Sequence, residues 1–359
     1  MTMTTIAGAP DRKATDWSRL ARRTLWNRTG FLAIVIGFLT VISLPIVLPY
    51  LWLLAISLTD KGGDGTAILW RLFAVAAAGY LALIAIALFA PDGQTARRLR
   101  WGVMLATVAG FAVGVGPYLT VENFAFLWDP ASVAAERGSQ SRIGLMPSVW
   151  SAMGNSFAFA GAQTLIVTVV AAPAAYALSR FSFAGRESFL RGLLLLHAFP
   201  ALALTVAIFI QMYWMGLLNS LSGVILVLCA LELPFAIFVL KGFFDAVPWD
   251  IEMSAITDGA SRFQAFRMVV LPQVVGGLIA VGTFTFLRGW EEYVFVQTLL
   301  IEKTSLTMSL YLFFVSEDSM GVDYSLVAAV GVVYVLPALV LYIFTQKYLT
   351  QMSFGGIKG

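Results

Sequence analysis

LSGVILVLCALELPFAIFVLKGFF, residues 221–244, contains only two charged side chains, Glu232 and Lys241. A helix needs about 20 apolar residues to cross the roughly 30 Å of hydrocarbon in a bilayer, and this run is long enough. The composition of the whole chain is similar, with 59% hydrophobic and 12% charged residues. Because a water-soluble domain could not cover so much apolar surface, the sequence predicts a membrane protein.

Apolar runs of spanning length recur along the chain, and they predict an all-α polytopic protein with about eight transmembrane helices. The runs are residues 31–57, 67–90, 101–121, 152–178, 192–215, 221–244, 274–300 and 324–345. The first run contains Pro45 and Pro49 and lacks a small-residue cleavage site. We therefore expect a retained helix there and not a signal peptide.

Basic residues are distributed unevenly around the predicted spans. One side of the membrane receives 17 of the 23 lysines and arginines, six of them in the N-terminal segment 1–30, whereas the other side receives five. Because lysine and arginine near span ends are held in the cytoplasm, we expect both termini to be cytoplasmic. The net charge of +3 follows from this asymmetry and gives no support for nucleic-acid binding.

The predicted cytoplasmic connection at residues 245–272 is much longer than two neighbouring spans need, which indicates a purpose of its own. Pro248 suits the start of a helix, and Asp250 and Glu252 place negative charge where the helix dipole stabilises it. We expect a short helix that ends near Thr257.

A second helix is predicted directly after the first. Gly259 can adopt a positive φ and end the first helix, and Ser261 and Gln264 have the spacing of a capping box. Pro272 marks the return to the membrane. Phe263, Phe266 and Val270 are predicted to share one face of this second helix.

Small residues leave the connection without bulk, at Ser254, Ala255, Gly259 and Ala260. Another protein could press closely against such a surface. A helix lying on lipid headgroups is the alternative, but such helices usually carry lysine or arginine on the polar face. This segment instead has the acids Asp250, Glu252 and Asp258 beside Arg262 and Arg267. We therefore favour a docking element.

The segment MSAITDGASRFQAFRMVVLP, residues 253–272, resembles the EAA loop of permease subunits of bacterial binding-protein-dependent ATP-binding-cassette importers. That pattern reads E-A-A, three residues, G, nine residues, I, one residue, L-P. Ala255, Gly259, Leu271 and Pro272 match it, and Ser254 and Val269 are close replacements. Met253 stands at the position of the motif glutamate, with Glu252 next to it.

Further stretches resemble the maltose-type carbohydrate permeases within this family. They are AAYALSRFSFAGRESFLRGLLLLHAFP (174–200), LPFAIFVLKGFFDAVP (233–248), RGWEEYVF (288–295) and the terminal GGIKG (355–359), which is similar to the tail of the second maltose-type permease subunit. The resemblance covers residues 31–57 and 122–359. It implies a subunit that moves a sugar, polyol, glycerol or derivative across the membrane without naming the solute.

The resemblance also implies the partners and the residues that meet them. The loop would insert into a cleft of an ABC ATPase dimer, which would bind ATP-Mg, and no cofactor would bind to this chain. A second, different permease subunit, a periplasmic or extracellular solute-binding protein and the inner membrane of a bacterium complete the expected surroundings. The implied loop residues are Asp250, Glu252, Ser254, Ala255, Asp258, Gly259, Ala260, Phe263, Phe266, Leu271 and Pro272, and the tail residues at the ATPase are Gly355, Gly356 and Lys358.

Six spans form the core in that family, so the pair predicted within residues 67–121 is surplus and is interpreted as an inserted hairpin. The predicted divisions are thus 1–30, 31–57, 67–121 and 122–359, with the loop 245–272 and the tail 346–359 inside the last. Gly110 and Gly114 offer a small-residue face for helix packing, which favours a peripheral hairpin. A docking surface for an accessory protein is the alternative.

Charged groups in or near spans are expensive, at about 2.5 to 3.5 kcal/mol on insertion scales, so they should face protein or water. Arg288 has helical spacing to Glu291 and Glu292, which predicts an internal ion pair as one interpretation. The candidate substrate path consists of Glu232, Glu291, Glu292, Asn155 and Gln211, and Gln163 is a further candidate for hydrogen bonding to a polyhydroxylated substrate. The lone His197 is interpreted as a packing residue.

Catalysis by this chain is not expected. One histidine and one cysteine cannot form a His/Cys metal cluster, no nucleophile-and-base constellation is visible, and no G-x-x-x-x-G-K-[ST] loop for ATP is present. The energy for transport must then come from a partner. An ion-coupled secondary transporter is the competing hypothesis, because intramembrane acids can bind protons or Na⁺. The long cytoplasmic loop argues against it.

Overall fold

The structure is a computed structural model that describes residues 17–59, 65–89, 93–129, 148–301, 306–317 and 322–355. Within these ranges the backbone is helical apart from turns and an isolated antiparallel bridge between Thr59 and Leu119. The helices are α1 (Trp17–Ser57), α2 (Gly65–Phe89), α3 (Gln94–Gly114), α4 (Val149–Arg180), α5 (Arg186–Ala198), α6 (Thr205–Trp214), α7 (Leu221–Asp245), α8 (Trp249–Thr257), α9 (Arg262–Ala265), α10 (Leu271–Gln273), α11 (Val275–Glu291), α12 (Val294–Leu299), α13 (Met308–Ser316) and α14 (Tyr324–Gly355).

By length and composition, five of the described helices can cross a membrane, and three bent helix pairs raise the number to as many as eight. The bent pairs are Ile34–Ser43 with Pro45–Ser57, Arg186–Ala198 with Ala201–Trp214, and Arg262–Gln273 with Val275–Glu291. The chain is therefore an all-α, multi-pass membrane protein, as predicted. The cytoplasmic position of both termini stays a prediction.

Two predicted spans are not continuous helices. Residues 192–215 break between α5 and α6, which meet at 85°. Pro200 lies at this break and has no N–H to continue the hydrogen bonds of α5. The run 274–300 breaks after α11, where Glu292 leaves the helical conformation with ψ 116°, and α12 begins at Val294. Composition detects the apolar character of these runs but not the breaks.

The predicted run 101–121 also starts later than the helix that contains it. Arg97, Arg98 and Arg100 lie inside the first turns of α3, which starts at Gln94. The predicted run began at residue 101 because hydropathy alone excluded these arginines. Helical hydrogen bonding tolerates them, since arginine is a good helix former.

Contacts divide the chain into two units, Met1–Thr120 and Val121–Gly359. In the first unit α2 packs against both α1 and α3. A Cβ added to Gly110 would lie 3.2 Å from Val75, whereas a Cβ on Gly114 would meet nothing within 4 Å. Gly110 therefore lies on the α2–α3 contact and Gly114 does not, so the predicted face is half correct. The assignment of residues 67–121 as an insertion stays a prediction.

In the second unit α4 packs against α7 and α11. Buried residues of α4 and α7 form one apolar cluster, which runs from Val167 and Cys229 to Phe244 and Phe266 at the long loop. A second cluster surrounds Trp290, whose indole donates a hydrogen bond to the carbonyl of Tyr334 on α14. These contacts hold α4 in the middle of the unit, with the loop at one end.

Candidate functional site

The first half of the loop has the predicted local structure. α8 begins after Pro248 and carries Asp250 and Glu252 in its first turn. It ends at Thr257, and Gly259 follows with φ 94°, a conformation that side chains other than glycine rarely adopt. The predicted helix end is confirmed.

The second half begins with the predicted capping box. The Ser261 hydroxyl accepts a hydrogen bond from the backbone N–H of Gln264 at 3.2 Å, and the Gln264 side chain accepts from the N–H of Ser261 at 2.8 Å. α9 then continues as a π-helix over Phe266–Val270 and as α10 through Pro272. The π-helix was not predicted, and its extra residue changes which side chains face inward.

Most of the residues assigned to the loop surface are at the surface. Asp250, Ser254, Asp258, Gly259, Phe263 and Pro272 are exposed, and Ala255, Ala260 and Leu271 are half-buried. Phe263 is 68% exposed although its ring lies 6.3 Å from that of Phe266. Phe266 is 8% exposed and packs in the core, so Phe263 does not share its buried face.

Glu252 requires a correction, because its side chain is fully buried. Its Oε2 lies 2.9 Å from Nε of Arg180 on α4, and its Oε1 accepts a 2.6 Å hydrogen bond from the hydroxyl of Tyr176. Arg180 also donates a 2.8 Å hydrogen bond to the carbonyl of Val247, just before α8. Glu252 therefore ties the loop to α4 and is not part of a docking surface.

Sequence reasoning missed Tyr176 and Arg180. Arg180 counted only as a basic residue at the end of a span, and the phenol of Tyr176 was not considered. A signal was present: the two residues are four apart on α4 and so lie on one helical face, close to the end of the span. Their acidic partner could not be identified from spacing, because it lies in another helix.

A cavity of about 490 Å³ opens where α4, α5, α7, α11 and α12 converge. Its polar lining consists of Gln163, His197, Glu232, Arg288, Glu291 and Glu292. The apolar part includes Phe199 and Pro200 at the break between α5 and α6. Both discontinuities in the predicted spans thus lie at this cavity, where irregular backbone at membrane depth is tolerated.

Gln163 is the most buried of the polar lining residues, with an exposed fraction of 0%. Neither Nε2 nor Oε1 of its amide has a hydrogen-bond partner among the described residues. Gly289 makes room for it, since a Cβ at that position would lie 2.5 Å from the Gln163 oxygen. A buried amide without partners costs free energy, and a polar ligand in the cavity could satisfy it.

The predicted ion pair of Arg288 with Glu291 or Glu292 was wrong in its partner. The Nε of Arg288 lies 3.9 Å from Oε1 of Glu232 on α7. Glu292 instead accepts a 2.8 Å hydrogen bond from the N–H of Phe295, at the start of α12. α11 ends at Glu291, so the helical spacing that predicted the pair does not reach Glu292.

The remaining candidates lie elsewhere. Asn155 donates a 3.0 Å hydrogen bond to the carbonyl of Leu306, and Gln211 is exposed on α6; neither lines the cavity. Gly356 and Lys358 lie outside the described residues, and Gly355 is described only as the last residue of α14. His197 stacks on Phe235 with ring centroids 5.1 Å apart. Within the described ranges no three histidine, cysteine or acidic residues form a metal site.

Comparison with known proteins gives a family and several relatives. The family described as "Binding-protein-dependent transport system inner membrane component" matches residues 164–351, which include the loop and most of the cavity. The diacetylchitobiose uptake system permease protein DasC of Streptomyces coelicolor is 32% identical over 212 residues, covering 58% of this chain and 76% of DasC. The trehalose transport system permease protein SugB of Mycobacterium tuberculosis is 31% identical over 211 residues, covering 58% of this chain and 77% of SugB.

Among solved structures, a bacterial ABC transporter involved in the import of the acidic polysaccharide alginate has a chain with the same fold. The TM-score is 0.61 with 16% sequence identity, over 89% of this chain and 96% of that chain. This likeness concerns the fold alone, because the identity is low.

Proposed function

The chain belongs to the family of binding-protein-dependent transport system inner membrane components, and we propose that it is the translocation subunit of an ATP-driven importer of a carbohydrate-type solute. The family match over residues 164–351 carries this proposal. The solute class is supported by the names of the relatives, which are permeases for diacetylchitobiose and trehalose. The family is a transport component, so the chain is not an enzyme.

The loop is proposed to dock on the ATPase. Between α8 and α9 it offers a face of small or exposed residues around Ala255 and Gly259, and Phe263 is exposed beside it. An exposed aromatic ring on a cytoplasmic loop is suited to fill a pocket on a partner protein. The exposed acids Asp250 and Asp258 add charge at the rim, where complementary charges favour correct encounter.

The cavity is proposed to form part of the solute path. Glu232, Glu291 and Glu292 supply acceptors for hydroxyl groups, and the buried amide of Gln163 supplies both a donor and an acceptor. Sugar sites need such groups in a partly apolar pocket, and Phe199 and Tyr293 provide aromatic surface. Asn155 and Gln211 are no longer included, because they do not line the cavity.

The proposed assembly contains an ABC ATPase dimer that binds ATP-Mg, a second and different permease, and a solute-binding protein outside the cytoplasmic membrane of a bacterium. This chain carries one docking loop, whereas two ATPases need two loops, so a second permease is required. The C-terminal residues Gly355, Gly356 and Lys358 are proposed to approach the ATPase.

Co-purification tests this assignment. A tagged chain, expressed with the ATPase, second permease and binding protein encoded beside it, should retain the ATPase, and the solute-bound binding protein should stimulate ATP hydrolysis. Gly259→Pro should abolish retention, because proline cannot adopt φ 94° and removes the N–H that donates to Ile256. Retention of the ATPase by this variant would contradict docking through the loop, and no retention by the unaltered chain would contradict the function.

A further inference from the structure

Tyr176, Arg180 and Glu252 form a buried group at the junction of α4 and α8, which we call the corner cluster. We propose that the corner cluster fixes the docking loop rigidly to α4, so that a movement of the loop reaches the cavity through α4. The three are positioning residues: they touch neither solute nor nucleotide and act by holding two helices in register. This inference rests on the proposed function of the loop.

Burial keeps the two charges of the corner cluster paired with each other. Glu252 has a side-chain exposure of 0% and Arg180 of 6%, so neither charge can exchange its partner for water without leaving the protein interior. Two contacts fix the carboxylate, the 2.9 Å ion pair to Arg180 and the 2.6 Å hydrogen bond from Tyr176. The hydrogen bond from Tyr176 is sensitive to distance and angle. The ion pair, whose Nε and Oε2 do not meet hydrogen-bond geometry, depends on the distance between two buried charges. A slide or rotation of α8 on α4 would therefore break the Tyr176 hydrogen bond and separate two buried charges.

Arg180 contacts both α8 and the residues that lead into α8. One guanidinium nitrogen contacts Glu252 in α8, another donates to the carbonyl of Val247, and the group lies 5.4 Å from the ring centre of Trp249. A second tie lies nearby, where the Ser179 hydroxyl donates a 2.6 Å hydrogen bond to Asp245 at the end of α7. The end of α4 is thus joined to the last turn of α7, the connecting residues and α8.

Aromatic packing surrounds the cluster. The ring of Tyr176 lies 4.6 Å from that of Phe266 in the second half of the loop and 5.8 Å from that of Phe244 on α7. Both halves of the loop therefore contact the same tyrosine, the first through its hydroxyl and the second through its ring. A displacement of either half must displace Tyr176 or break its contacts.

The same helix reaches the cavity near its middle, at Gln163. Gln163 precedes Tyr176 by 13 residues on α4, which corresponds to roughly 20 Å at about 1.5 Å per residue. Between them Val167, Ala171, Ala172 and Ala175 are buried in the α4–α7 cluster, which supports the helix around Pro173. α4 is thus one continuous helix with the loop contacts at its C-terminal end and the unpartnered amide near its middle.

The position of the motif glutamate gives an independent reason to assign Glu252 a structural role. The EAA pattern places its glutamate at Met253, and the neighbouring Glu252 points into the protein. Glu252 cannot replace the missing acid at the docking surface. Burying the Glu252 carboxylate costs free energy of desolvation. A role in fixing the position of α8 relative to α4 would explain why the carboxylate is buried.

Two variants of the assembled complex test the proposal in proteoliposomes. Arg180→Met with Glu252→Gln removes both charges but keeps an acceptor for Tyr176, and Tyr176→Phe removes one hydroxyl only. The measurement is solute transported per ATP hydrolysed, with ATPase retention and melting temperature recorded on the same samples. The matched control is Arg191→Met with Glu187→Gln, an exposed i,i+4 pair on α5.

The double variant should keep its ATPase and its melting temperature, because no charge is stranded, while transport per ATP falls at least about fivefold, the lower end of usual coupling between sites. Tyr176→Phe should lower the ratio in the same direction by at least about twofold. The control pair should leave it unchanged.

Unaltered transport per ATP in the double variant would overturn the proposal and leave the cluster as packing alone. If the double variant does not assemble, Tyr176→Phe decides by the same criterion. An unaltered complex that does not retain its ATPase would instead overturn the proposed function, on which this inference depends.

Discussion

Two ion pairs of opposite character lie in this part of the molecule, one at the loop end of α4 and one at the cavity. At the loop end Arg180 and Glu252 are 2.9 Å apart with side-chain exposures of 6% and 0%, and Tyr176 binds the same carboxylate. At the cavity Glu232 of α7 and Arg288 of α11 are 3.9 Å apart, with side-chain exposures of 14% and 66%. The first pair can only hold its geometry, whereas the second can open to another ligand. A rigid contact at the loop and a loose one at the cavity suit a helix that carries motion to a solute path.

The largest effect on assembly is expected from a substitution at the proposed docking surface of the loop. Ala255→Trp should abolish retention of the ATPase and hence transport, because the indole occupies the space between two close surfaces. The melting temperature of this subunit should change little, since Ala255 is only half-buried. Glu187→Trp, at a side chain 83% exposed on α5, is the control and should retain the ATPase. Equal retention of the ATPase by both variants would contradict docking through the loop.

Next in size is the removal of one charge from the tight pair. Arg180→Met should destabilise the protein by roughly 3–5 kcal/mol, because Glu252 is left buried without its cation. Thermal unfolding of the purified chain in detergent measures the change. A loss similar to that of an exposed pair would contradict the assignment of Glu252 to the interior.

A smaller effect is expected from the Gln163 amide at the cavity. Gln163→Leu should weaken the apparent affinity for the transported solute roughly two- to tenfold, as expected for a hydrogen bond of about 0.5–1.5 kcal/mol. Stability should be maintained or increased, because the change removes a buried polar group that lacks a partner in the described structure. Uptake measured over a range of solute concentrations tests the first part. Lower stability with unchanged affinity would make Gln163 a packing residue.

The smallest effect is expected when the loose pair is broken. Arg288→Met should change the stability by about 0–1 kcal/mol, since its side chain is mostly exposed and 3.9 Å from Glu232. The measurement is the unfolding experiment used for Arg180→Met. A loss as large as that of Arg180→Met would contradict the contrast between the buried pair at the loop and the exposed pair at the cavity.

The sequence predicted the features that depend on neighbouring residues. Pro248, Gly259 and the Ser261–Gln264 capping box act within one helical turn, so their roles in the loop are legible before any tertiary contact is known. Apolar runs likewise predicted the helical membrane class, and the predicted eight spans are the upper limit of the five to eight that the described helices allow.

Local sequence patterns of this kind could not predict the long-range contacts. Arg288 pairs with Glu232 on another helix although Glu291 and Glu292 have the better local spacing, because the end of α11 at Glu291 redirects the chain. Glu252 looked like a helix-capping acid, but its hydroxyl partner Tyr176 lies 76 positions away. The cavity itself forms only where five helices meet, and no single stretch of sequence contains it.

The most direct test of the central claim is the energy source for uptake. A thermal-shift panel first identifies the sugar that the solute-binding protein binds most tightly. Proteoliposomes containing this chain, the second permease and the ATPase are then supplied with the solute-binding protein and with that sugar in labelled form. Uptake is predicted to require ATP on the ATPase side and to persist when a protonophore collapses the proton gradient. Uptake driven by an imposed proton or sodium gradient in vesicles that contain this chain without the ATPase would contradict the account.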